Sequence, residues 1–362
     1  MNTQKWNIQF HNIAELEWDQ ESGGYKMPRM PLKVVEQLNE KAKRSIYFGC
    51  GCELRFQMIS DEVKIYMSRF KSDSVLPNGI AEVWQGDFQG RYQLSPQPVN
   101  IEKSVITIKK MKSQFLQDLD DSRNTYSSDL YRVFLPYDYG NIIYGIEGEV
   151  KLPDQEQMPD QTVLLYGSSI SHGSCSCINS GSYGQQLADH LHMNLRNAAM
   201  AGACYMDECA AKQIASEDWE IAVLELGINV VEKGWTREEF EGKCRRFIQI
   251  VSESRQKPVY VVSPYFSEKE MNHPDIVGGM RSSLERIVKE FQNPSIHYIN
   301  GLDCLPDYHG LSSDGLHPAQ SGINRIARAL IERIRENTPQ NVRYFDNFDY
   351  KLKKPGNAAK EH

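Results

Sequence analysis

The chain has 362 residues, enough for two domains of ordinary size. Hydrophobic residues make up 40% and charged residues 25%, a balance that excludes a disordered or fibrous chain. A net charge of −7 argues against nucleic acid or an anionic membrane as partner, since both need a basic surface, and no apolar run approaches the ~18 residues of a membrane span.

Residues 1–18 have neither the basic start nor the apolar stretch of a signal peptide, so a cytoplasmic location is expected. The eight cysteines are then expected to be free thiols. Residues 1–152 read mainly as β structure. The runs 52–58 (CELRFQM), 62–68 (EVKIYMS), 80–86 (IAEVWQG), 104–110 (SVITIKK) and 132–136 (RVFLP) are rich in β-branched and aromatic residues. Turn-formers such as Ser60-Asp61 and Pro77-Asn78-Gly79 separate them, and short strands at this spacing predict an all-β sandwich of the jelly-roll kind. One helical piece is predicted over 33–43. The Cys50/Cys52 and Cys175/Cys177 pairs do not follow the C-x₂₋₄-C spacing of structural zinc sites, so no metal is assigned to them.

Residues 151–161 (KLPDQEQMPDQ) carry two prolines and polar side chains, as an exposed connector does. Beyond it, strand and helix alternate. Short apolar runs at 162–167, 221–226, 258–263 and 296–299, with 193–197 as a further strand, fit buried parallel strands. Phe240, Cys244, Phe247, Ile248 and Val251 follow a helical period. So do Met280, Leu284, Ile287, Val288 and Phe291, and then Ile323, Ile326, Ala327, Leu330, Ile331 and Ile334. The prediction for 160–336 is a five-stranded doubly wound α/β domain, which binds ligands beyond the C-terminal ends of its strands. Residues 337–362 are polar and are expected to form an irregular C-terminal extension.

Four loops after these elements hold reactive residue types. Gly167-Ser168-Ser169-Ile170-Ser171-His172-Gly173 follows the first strand, where a serine on a tight turn can expose its hydroxyl; Gly-Ser clusters there are as often simple loops. Ser313-Asp314-Gly315-Leu316-His317-Pro318 precedes the last helix, and an Asp three residues before a His can reach its imidazole. Asp314 capping a turn beside a surface histidine would look the same. Asn197–Gly202 and Gly227-Ile228-Asn229 offer a glycine N–H and a side-chain amide as donors to a developing oxyanion, or are turn residues.

Taken in order, the blocks YGSSISHG (166–173), NAAMAG (197–202), LGIN (226–229) and DGLH (314–317) resemble the SGNH (GDSL-like) hydrolase superfamily over about residues 160–336. The resemblance implies a flavodoxin-like three-layer α/β/α fold and acyl-ester chemistry without metal or cofactor. It carries over Ser169 as nucleophile, His317 as base and Asp314 as its orienting carboxylate, with Ser169 N–H, Gly202 N–H and the Asn229 amide as oxyanion hole. Ser168 stands where the family often has Asp, and Val230 stands where it often has Asp after the asparagine. The N-terminal half resembles the β-sandwich that precedes some SGNH domains, on the stretch GCELRFQM (51–58) and on domain order. The expected activity is hydrolysis of short-chain carboxylic esters, including deacetylation of a carbohydrate. Acyl transfer to a hydroxyl by the same triad, and carbohydrate binding on an inactive hydrolase domain, are the alternatives. His172 and His309 are candidates for contacts around the site, and Cys175, Cys177 and Cys204 lie near it in sequence without a case for a thiol nucleophile.

Overall fold

The computed structural model describes residues 5–70, 79–111, 113–117, 124–253 and 257–337. The N-terminal half forms two antiparallel sheets. One runs in the order 9–11, 53–58, 130–134, 79–85, 88–89, with 150–151 paired to 53–58 and 97–99 to 79–85. The other runs 17–19, 24–26, 141–147, 62–69, 104–109. Leu54, Phe56, Val83 and Val133 from the first sheet and Val63, Ile65, Ile106, Ile108 and Ile143 from the second share one buried apolar cluster. Alternation explains this: in 62–69 Val63, Ile65 and Met67 point inward, while Lys64 and Tyr66 stay outside.

All five β runs expected from sequence are strands, each within two residues of its expected ends. The central strand Asn141–Glu147 was not expected. Gly145 and a register shift between Ile143 and Gly145 break the period that would have marked it. The helical piece expected over 33–43 is two short helices, Leu32–Val35 and Glu40–Ser45. Asn39 causes the break: it is extended, and its side chain caps the second helix by accepting from Ala42 N at 3.1 Å.

The C-terminal half is a parallel sheet of strands β1 (Thr162–Tyr166), β2 (Asn194–Asn197), β3 (Ile221–Glu225), β4 (Val259–Val262) and β5 (Ile296–Ile299), in the order β2-β1-β3-β4-β5. Its helices are α1 (Tyr183–Leu191), α2 (Glu208–Ser216), α3 (Arg237–Glu253), α4 (Pro274–Glu290) and α5 (Gln320–Asn337). Successive residues of β1 face opposite ways. Val163 and Leu165 pack with α1 and α5; Leu164 and Tyr166 pack with α2, α3 and α4. Both faces are covered, which is why these strands read as unbroken apolar runs. The strand order reverses at β1/β3, and doubly wound sheets place their ligand crevice at that switch point.

The halves are closely joined. Val34, Val35, Leu38, Ala42 and Ile46 of the N-terminal half pack into the cluster on the α2–α4 face of the parallel sheet. Arg55 of the first antiparallel sheet donates to Asn194 Oδ1 on β2 at 2.7 Å. All eight cysteines are free. No helix among the described residues is long and apolar enough to cross a membrane. Beyond Asn337 the expected C-terminal extension lies outside the described residues, as do Pro77 and Asn78 of the expected turn.

Candidate active site

Ser169 opens a single helical turn, Ser169–His172, directly after β1. Ser168 Oγ caps that turn by accepting from Ile170 N at 3.1 Å, a capping task that Ser and Asp perform alike. Gly173 closes it in the left-handed region at φ 104°. Ser169 Oγ lies 2.7 Å from His317 Nε2, and His317 Nδ1 lies 2.7 Å from Asp314 Oδ2. The other Asp314 oxygen accepts from Leu316 N and His317 N, both at 2.9 Å, and from Ser312 Oγ at 2.7 Å. Partial burial works against the Asp314 charge. The hydrogen bonds from the His317 ring, His317 N, Leu316 N and Ser312 outweigh it and hold the carboxyl well below its ordinary range. An ionised Asp314 can only accept, so Nδ1 donates to it; in the neutral imidazole this tautomer turns the Nε2 lone pair to the serine hydroxyl. The loop is itself pinned: Ser312 N donates to His317 O at 2.8 Å, and Glu268 N to Gly315 O at 2.7 Å.

The two remaining blocks meet at the switch point. Asn229 follows β3, and its Oδ1 accepts from Cys204 N at 3.0 Å, which leaves its amide N–H₂ as the donating end. Gly202 takes φ +67°, and a Cβ there would meet open space. Its N–H and that of Ser169 have no protein acceptor among the described residues. Asn197 ties this loop to the nucleophile turn, donating to Ser171 O at 3.1 Å and accepting from Ala199 N at 3.0 Å.

Other residues divide clearly. His172 is buried against Phe48 and Tyr137, and its nitrogens lack a partner at hydrogen-bonding geometry, the Tyr137 backbone lying near without it. Burial, helped by the Arg29 charge, lowers its pKa to about 3, so it is neutral. His309 pairs with Asp307 at 3.2 Å and stacks on Tyr308. Cys204 is buried and its thiol is pushed far up by burial and by Glu225. The Cys175 thiol is likewise raised, by burial and then by Asp314, against a hydrogen bond from Ser312. Neither is an activated thiolate. Val230 is a buried member of the core.

Two residues behind the site had not been singled out from sequence. Glu225, the last residue of β3, is fully buried; its Oε2 accepts from Ser168 N at 2.7 Å and from Ser171 Oγ at 3.0 Å. Burial pushes its carboxyl up in spite of those bonds. Arg29, from the N-terminal half, is also fully buried. It donates to Phe48 O (2.8 Å), Ser45 O (2.9 Å), Asn197 O (2.8 Å) and Ala199 O (2.7 Å), and has no carboxylate partner among the described residues. A carboxylate ending a strand before Leu-Gly-x-Asn was the one visible sign of the first. Nothing near Arg29 in sequence marks the second.

A parallel sheet in this order, with serine, asparagine and Asp-x-x-His loops at its C-terminal edge, defines an SGNH-type α/β hydrolase fold. Residues 160–335 match the model of the GDSL-like lipase/acylhydrolase family. Solved structures resemble nearly the whole chain. The salicylyl-acyltransferase SsfX3 of a tetracycline biosynthetic pathway is similar with a TM-score of 0.78 at 14% identity, over 93% of this chain and 96% of its own. A family two carbohydrate esterase from Clostridium thermocellum, in complex with cellohexaose, gives 0.59 at 12% over 91% and 98%. The acetyl xylan esterase Est2A from the rumen bacterium Butyrivibrio proteoclasticus gives 0.56 at 10% over 92% and 96%. At these identities the likeness is one of fold. No curated protein matches the chain in sequence.

Proposed function

We propose that this protein is a serine esterase that hydrolyses carboxylic esters with short acyl groups, an acetylated carbohydrate being the favoured substrate class. In this reading residues 160–336 are a flavodoxin-like, three-layer catalytic domain, and residues 1–152 are a β-sandwich accessory domain that borders the acceptor side of the site. The observation that carries it is the continuous chain Ser169 Oγ–His317–Asp314, with both links at 2.7 Å. His317 Nε2 takes the proton of Ser169 as the hydroxyl attacks the ester carbonyl. The tetrahedral oxyanion sits among Ser169 N–H, Gly202 N–H and the Asn229 amide. His317 then passes the proton to the departing alcohol, and the same histidine activates the water that clears the acyl-enzyme. The chemistry needs no metal.

The test is turnover of p-nitrophenyl acetate, butyrate and octanoate by wild type and Ser169→Ala with a chelator present. Wild-type turnover with a preference for acetate, removed by Ser169→Ala, is expected. Equal turnover by both proteins refutes the nucleophile.

Acyl transfer is the second reading, compatible with one observation: loop 173–182 beside Ser169 is held by the N-terminal half, through Tyr137 OH to Ser176 O at 2.6 Å and Asn179 Nδ2 to Gly49 O at 3.0 Å. Such a wall can shape an acceptor pocket, as well as a sugar site. Product formation that depends on an added hydroxyl acceptor distinguishes transfer from hydrolysis. Sugar binding without any turnover would leave an inactive hydrolase domain.

A further inference from the structure

We propose that Cys175, Asp314 and His317 form a binding site for a thiophilic divalent cation, zinc the best fitted, whose occupancy takes His317 out of the triad. The Cys175 Sγ, an Asp314 carboxylate oxygen and a His317 ring nitrogen all lie within 4.8 Å of one another. Ligands of these kinds around a tetrahedral zinc stand about 3.3–3.7 Å apart, so closure needs shifts of about an ångström. A thiolate, an imidazole and a carboxylate together select zinc, cadmium or cobalt over magnesium or calcium.

Two loops supply the ligands. Cys175 stands at φ +67°, two residues past the cap of the nucleophile's turn. Asp314 and His317 come from the loop pinned by Ser312 and Glu268. Cys175 and Asp314 are exposed, so an ion can enter and keep a water in its fourth position. On binding, the Cys175 thiol releases its proton to solvent and the neutral imidazole offers a lone pair to the ion. Coordination through Nδ1 shifts the ring proton to Nε2 and ends the hydrogen bond to Asp314; coordination through Nε2 takes the lone pair that faces Ser169. Either loss disables the base. The inhibitory clause rests on the proposed roles of Ser169 and His317; the site does not.

The experiment is an anaerobic Co²⁺ titration of the full chain, read by absorption. One equivalent should produce a thiolate-to-cobalt charge-transfer band in the near ultraviolet and tetrahedral bands in the visible, both removed by Zn²⁺. Cys175→Ser should lose the charge-transfer band, and Cys177→Ser should keep it, with unfolding curves confirming that both variants fold. Absence of the band in wild type, or its persistence in Cys175→Ser, overturns the site. In parallel, Zn²⁺ should inhibit ester turnover at a concentration at least tenfold lower in wild type than in Cys175→Ser; equal sensitivity overturns the inhibitory clause. Cobalt binding as described in a protein with no ester turnover upholds the site and refutes the esterase reading instead.

Discussion

Arg29 Nη2 donates to the carbonyl oxygen of Ala199 at 2.7 Å, across 170 residues of sequence, so a cation of the N-terminal half holds the loop that carries Gly202. The same guanidinium reaches Asn197 O, Ser45 O and Phe48 O. Arg29→Met would leave four carbonyls in the interior without this donor, at a cost of about 3–5 kcal/mol in urea unfolding. Because Asn197 and Ala199 lie in the loop that leads to Gly202, and Asn197 also bonds the nucleophile turn at Ser171 O, kcat should fall more than KM rises. Arg29→Lys should recover little of either, since one ammonium cannot span four separated acceptors.

Asn229 has two distinct ends. Its Oδ1 accepts from Cys204 N, and its amide N–H₂ is the proposed oxyanion donor. Asn229→Asp keeps an acceptor for Cys204 and removes the donor. Stability should change little, and kcat should fall by about 10²–10³ or more, as for loss of one oxyanion contact. Kinetics on p-nitrophenyl acetate beside a melting curve checks both halves; unchanged kcat would remove Asn229 from the mechanism.

Glu53 is fully buried between Arg55 and Arg132, with four contacts of 2.7–3.0 Å. Burial opposes its charge, but the two guanidinium groups prevail and hold its carboxyl far below the ordinary range. A carboxylate lowered on folding stabilises the protein above its ordinary pKa, and that stabilisation is lost as pH falls through the folded value. Glu53→Gln should cost about 3–5 kcal/mol at neutral pH by leaving two buried cations uncompensated. The deficit relative to wild type should shrink as acid is approached, measured by urea unfolding at several pH values.

His172 acts in the same pH direction by a different route. Its folded pKa is about 3 against an ordinary 6.5, so the unfolded chain takes up a proton that the native state refuses. Stability is unaffected above about pH 6.5 and falls below it at about 1.4 kcal/mol per pH unit until the folded value is reached. His172→Leu abolishes this contribution. Between pH 6.5 and 5 the variant should gain about 2 kcal/mol on wild type. Parallel stability–pH curves for the two proteins would show that the ring is protonated in the native state.

Much of the architecture was legible because periodicity is local. Val63, Ile65 and Met67 mark an inward face within one strand, and Phe240, Cys244, Phe247 and Val251 mark a helix stripe. The three-residue strands Gln9–His11, Glu17–Asp19 and Gly24–Lys26 are too short to show a period, and Gly145 interrupts the one at Asn141–Glu147. The candidate-site loops stood out for a related reason: Ser169, Gly202 and Asn229 each lie three to five residues after a strand of the parallel sheet, where a doubly wound fold exposes side chains and backbone donors.

By itself, then, the amino-acid sequence determined the strongly periodic strands and helices and which residue types stand at the parallel sheet's C-terminal edge, since both depend on neighbours within a few positions. Only the tertiary structure decided the distances. Strand order β2-β1-β3 brings the Ser169 and Asn229 loops together, and the pinned 311–318 loop sets His317 Nε2 2.7 Å from Ser169 Oγ. Arg29, Glu53 and Glu225 have meaning only through partners far away in the chain, because the worth of a buried charge is set by the donors and acceptors that packing places around it, and no local pattern encodes those.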